Sequence, residues 1–130
     1  MIEEHPKDLK YTQHHVWVKT EPRKRIARIG VTPELADKLT EILGLDMPME
    51  GDELEMDAPC LHIHRPTSIY EMLSPLSGRV TAVNRDVMDS PNLIALGPYK
   101  HWLFCMEYDE DDELDMLFNA QQYTTYLDSL

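Results

Sequence analysis

The sequence has 130 residues and a mass of 15.1 kDa, a length that suits one domain, residues 1–130, around one core. Hydrophobic residues make up 42%, enough to build that core and too many for a chain disordered throughout. Against 12 Lys and Arg stand 24 Asp and Glu, a formal net charge of -12. Such a surface repels phosphate backbones and anionic lipid, so the expected partners are proteins, with neither nucleic acid nor membrane among them.

Residues 1–10 read as a polar lead-in without the basic-then-apolar pattern of a secretory signal, and no apolar run is long enough to span a bilayer. A cytoplasmic location is therefore expected, with Cys60 and Cys105 as thiols rather than a disulfide framework. Strand signals follow at 15–19 and 26–31, separated by a charged turn at Glu21-Pro22-Arg23-Lys24. Thr32 as cap, Pro33 at the first helical position and Glu34 in the first turn predict a helix. Its apolar stripe would be Leu35, Ala36, Leu39, Ile42 and Leu43, with Gly44 to end it. From Leu45 to about Met106 short strands alternate with turn residues. Within this region CLHIHRPTSIYEMLSPLSG, residues 60–78, reads as two apolar runs around a hairpin tip at Arg65-Pro66-Thr67-Ser68. Two helical pieces close the pattern. Leu114, Leu117 and Phe118 share one face, and Tyr123, Tyr126, Leu127 and Leu130 another. The acidic run 109–113 suits a solvated helix start and lacks the glycine and ligand order of a calcium loop.

An ordered set of short motifs runs through these elements. Tyr11-Thr12, His15-x-Trp17-Val18, Ile29-Gly30-Val31-Thr32 and Met47-Pro48-x-x-Gly51-Asp52 come first. Ser74-Pro75-Leu76-Ser77-Gly78, Val83-Asn84, Ser90-Pro91-x-Leu93-Ile94 and Pro98-Tyr99-x-x-Trp102-Leu103 continue it. In this order they resemble the glycine cleavage system H protein family, without a gap from Gly30 to Pro98 and one residue short near Lys100. The resemblance implies an all-β barrel-sandwich hybrid of lipoyl-domain type with flanking α-helices, in which Trp17 and Trp102 are largely buried. It implies a carrier rather than an enzyme. Members of the family hold lipoate on a hairpin lysine and move an aminomethyl group and electrons between the other glycine cleavage components.

The tip departs from that pattern. Counting back from the spacing glycine, Gly78, places the lipoyl lysine at Thr67, and a hydroxyl is no substitute for the amine that forms the lipoyl amide. The lysines are Lys7, Lys10, Lys19, Lys24, Lys38 and Lys100, none of them in the hairpin. The glutamate read by lipoylating enzymes falls at His64. The family's His-Glu-Trp-Val becomes His15-Val16-Trp17-Val18, so Val16 replaces an acid of the arm cleft, and Glu71 keeps its second acid. Ser68 completes the tip. No lipoate is expected, and the function is that of a binding or regulatory module. Its partners would be proteins, those of the glycine cleavage or lipoate-handling systems among them.

The alternative is a metal- or thiol-dependent module. Cys60, His62 and His64 alternate along the strand entering the tip and would share one face. Residues four apart on a strand are about 13 Å apart, so all three do not easily reach one ion, and His14 or Cys105 would be needed to complete a site. The bland counterpart has Leu61 and Ile63 facing the core and the polar set facing water. Thr67 and Ser68 lack an orienting acid or oxyanion donors, and the five glycines form no phosphate loop, so no enzyme is expected.

Overall fold

The computed structural model describes residues 5–130, so the first four residues of the polar lead-in lie outside the described part. Two antiparallel sheets form a sandwich-type arrangement with helices at its flanks. The larger sheet takes β1 (Lys10–Tyr11), β2 (Val16–Glu21), β3 (Ile26–Val31), β9 (Phe104–Tyr108), β8 (Gly78–Val83) and β5 (Glu53–Leu54), adjacent in that order. The smaller sheet sets β6 (Pro59–His64) between β4 (Gly44–Asp46) and β7 (Ile69–Leu73). Strand pairing joins residues within each sheet and, among the described residues, does not close them into one barrel.

Alternation along the strands builds the core. Val16 and Val18 of β2, Ala27 and Ile29 of β3, Val80 of β8 and Phe104 and Met106 of β9 meet Leu61, Ile63 and Met72 of the smaller sheet, all buried. Trp17, one residue out of phase, points to the opposite face of the larger sheet and joins Leu9, Tyr11 and Tyr123 in a second cluster. There it lies across Gly30, its cross-strand partner. A Cβ on Gly30 would come within 2.3 Å of the indole, so only glycine fits beneath that ring. Trp17 is buried and Trp102 half-buried.

The helix expected from Thr32 to Gly44 is a single turn, α1 (Pro33–Ala36). Thr32 holds the cap position, but its hydroxyl makes no cap bond and turns to the Tyr123 hydroxyl 2.9 Å away. Glu41 takes a positive φ of 57°, and the Leu43 N–H donates to His64 O at 2.7 Å. Leu35, Ala36 and Leu39 of the expected stripe are buried, but the chain from 37 to 43 runs as turn and coil into β4, and Leu43 is exposed. Two further short helices, α2 (Arg85–Asp89) and α3 (Leu93–Leu96), occupy a stretch expected to be strands and turns. Asn84 starts the first of these, its side chain accepting from Asp86 N. The final pieces are α4 (Asp111–Leu114) and α5 (Ala120–Asp128). A reciprocal capping box between Asn119 and Gln122 opens α5. The acidic run 109–113 leads into and opens α4 as a solvated start, with 109–112 exposed. Arg25 pairs with Asp111 at 3.1 Å, and Glu113 accepts from the Ser77 N–H and hydroxyl at 2.8 Å.

Candidate functional site

The β6–β7 hairpin forms as its alternation dictates. Leu61, Ile63 and Met72 are fully buried, and a four-residue tip, Arg65 to Ser68, is closed by the Arg65 N–H donating to Ser68 O at 2.9 Å. Pro66, Thr67 and Ser68 are all exposed. Around them stand two large apolar side chains open to solvent, Ile69 at 59% and Leu43 at 68%. The site is a projecting turn with hydroxyls at its apex and apolar shoulders. Its four residues include no lysine, and the neighbouring His64 is turned to Asp46 rather than to Thr67 or Ser68.

The strand leading into the tip does not present one uniform polar face. A bulge between Pro59 and Leu61 breaks the register there, so Cys60 leaves the face of His62 and His64 and packs against the main core. Its Sγ lies 3.4 Å from Met72 O, and burial pushes the thiol up to about 12, far from the thiolate a ligand or nucleophile needs. His62 Nε2 is 3.3 Å from Glu71, directly opposite on β7, and His64 Nε2 is 2.7 Å from Asp46 on β4. The expected trio therefore disperses to three partners. Among the described residues no group of three His, Cys, Asp or Glu side chains is arranged to hold a metal. Cys105, a candidate completing ligand, sits in the other sheet opposite Arg28.

Val16 and Glu71 are also separated in setting. Val16 is fully buried in the core between the sheets, while Glu71 is exposed on the outer side of β7. Gly78 begins β8 where a Cβ would lie 2.1 Å from Glu107 O, so its conservation of space belongs to the β8–β9 contact rather than to the tip.

Sequence reasoning missed two sets of residues. Asp46 reaches His64 only through the β4–β6 pairing, for which the chain carries no local signal. The second is a buried polar node around the Tyr123 hydroxyl. It lies 2.8 Å from His15 Nδ1 and 2.9 Å from Thr32 Oγ1, and donates to Glu34 at 3.3 Å. Burial and then the nearby Lys38 lower the His15 pKa, and burial raises that of Tyr123, so both are neutral near pH 7. The Tyr11 ring stacks on Tyr123 with centroids 4.7 Å apart. The node fastens α5 to the start of α1 and to the turn before β2.

Residues 9–130 match the family model described as glycine cleavage H-protein. The glycine cleavage system H protein of Oceanobacillus iheyensis is 35% identical over 123 residues, spanning 94% of this chain and 96% of that protein. That of Bacillus subtilis is 36% identical over 119 residues, spanning 91% and 92%. The crystal structure of a glycine cleavage system H protein from Mycobacterium marinum is similar in fold, with a TM-score of 0.81 at 24% identity, over 97% of this chain and 100% of that one.

Proposed function

Since the chain belongs to the glycine cleavage H-protein family, we propose that it is a member that carries no lipoate and serves as a protein-binding or regulatory module in place of a covalent aminomethyl carrier. Thr67 carries this reading. It occupies the apex of the hairpin, exposed, at the position the family pattern gives to the lipoyl lysine, and none of the six lysines lies in that hairpin. His64, where the pattern has a glutamate, is engaged by Asp46, which turns its ring toward the sheet. The scaffold on this reading is a single barrel-sandwich hybrid over residues 1–130. Unpaired Cys60 and Cys105 suit a reducing, cytoplasmic setting.

Docking remains chemically reasonable without the arm. Ile69 and Leu43 offer apolar area beside a polar tip, the combination found at the centre and rim of protein interfaces. The acidic surface complements basic partners and steers their approach. The natural candidates are the proteins that glycine cleavage or lipoate handling brings to such a hairpin.

Intact mass after co-expression with a lipoate ligase and added lipoate tests the proposal. The expected mass is that of the unmodified chain. A stoichiometric lipoyl adduct on any residue overturns it.

A further inference from the structure

On the face of the larger sheet opposite the core, next to the second aromatic cluster, the chain gathers positive charge against its own composition. Lys19 on β2 and Arg28 on β3 stand directly opposite one another in the register. Like charges at such a cross-strand position repel and destabilise the pair. Lys100 joins them at the wall of a cavity of about 200 Å³, whose apolar floor is Leu9, Trp17 and Tyr99. Among the described residues Asp8 is the only acid in that lining. A smaller recess of about 90 Å³ continues from Lys19 and Arg28 to Cys105 and holds Glu21, which lies 4.0 Å from Lys24. Among the described residues none of Lys19, Arg28 and Lys100 forms an ion pair, although Arg25, Arg79 and Lys24 each do.

We propose that this cavity binds a small phosphate monoester, with the phosphate bridging Lys19, Arg28 and Lys100 and the organic part resting on Leu9 and Tyr99. A dianion relieves the repulsion of two facing cations, where a monocarboxylate neutralises only one of them. Arg28 is already held in place, its guanidinium 5.2 Å from the centre of the Trp102 ring, and its forked donors match phosphate oxygens. The cavity has the room of roughly seven waters at 30 Å³ each, more than the phosphate alone requires. The net charge of -12 does not forbid such a site. At physiological salt the field of distant carboxylates is screened within about 8 Å, and the three cations dominate locally.

Trp17 lines the site and Trp102 lies under the Arg28 guanidinium, so the two indole N–H resonances report on it. Phenyl phosphate is titrated into the full chain at constant ionic strength, beside inorganic phosphate and phenol. Saturable shifts with phenyl phosphate are expected, weaker ones with inorganic phosphate, and none with phenol. Arg28→Gln and Lys19→Gln should each weaken binding about tenfold or more, while Lys24→Gln leaves it unchanged. Without ligand, Lys19→Gln should raise the unfolding midpoint by removing the facing charge. Absence of saturation, equal affinity for inorganic phosphate, equal loss in Lys24→Gln, or a lowered midpoint in Lys19→Gln would each overturn the assignment.

Discussion

Asp46 and His64 meet at 2.7 Å across neighbouring strands, and that one contact decides what the hairpin tolerates. His64→Glu, the change that on the proposed reading restores an acid before the tip, sets two carboxylates side by side. It should cost about 1 kcal/mol, the upper range for a like-charge cross-strand neighbour, and Asp46→Asn in the same chain should recover most of it. Urea denaturation of the single and double variants measures both. For the same reason Thr67→Lys combined with His64→Glu should be lipoylated more fully when Asp46 is also neutralised. Gly30 makes a sharper demand. Gly30→Ala drives a methyl into the Trp17 ring, which is 2% exposed. The ring must leave its seat at a cost of about 1–3 kcal/mol, with tryptophan emission shifting to longer wavelength. Val16→Glu would bury a carboxylate among Val18, Ile29 and Leu35, so it should unfold the chain or keep its proton near neutrality.

At the level of elements, α5 is held by chemistry rather than by area alone. Tyr123→Phe would leave the fully buried Thr32 hydroxyl and the His15 ring short of a partner, a loss of about 1–3 kcal/mol visible as a lower denaturation midpoint and faster amide exchange in α5. The sign of the pH response follows from His15. Its pKa is below 6.5 in the folded chain, so the unfolded chain holds the proton more tightly. Stability contributed by neutral His15 is complete above pH 6.5, falls as the pH drops toward the folded-state value, and is flat below it. His15→Asn, which keeps a residue tolerant of the positive φ of 64°, should flatten this part of the profile. The β2–β3 hairpin and the tip at 65–68 were legible because alternation and turn chemistry are local. Helical spacing overextends α1 because Leu39 to Leu43 fits a helical stripe equally well. The positive φ at Glu41 and the approach of Leu43 to His64, ahead of the β4–β6 pairing, redirect the chain and leave no mark in the residue pattern. The polar face of β6 was misjudged at Cys60 because a bulge leaves no mark in the residue pattern. The Tyr123 node joins residues up to 108 positions apart, and nothing in either neighbourhood announces the other.

Across the whole molecule, 24 acids against 12 bases make self-repulsion a standing load on the folded state. Raising sodium chloride from about 0.02 to 0.5 M contracts the screening length severalfold and should raise the thermal midpoint. A fall would mean that the few surface ion pairs outweigh the repulsion. The larger sheet also carries a consequence of its strand order. β3 is flanked by β2 on one side and on the other by β9, which begins at Phe104. During synthesis at about 5–20 residues per second, β9 leaves the ribosome roughly 4–15 s after β3. Throughout that interval the nascent β2–β3 hairpin shows an open edge to every other unfinished chain nearby. Arg28 lies on that edge between Ala27 and Ile29, and a charge in such a place is what keeps an unpaired strand from recruiting a stranger before its own partner has been made.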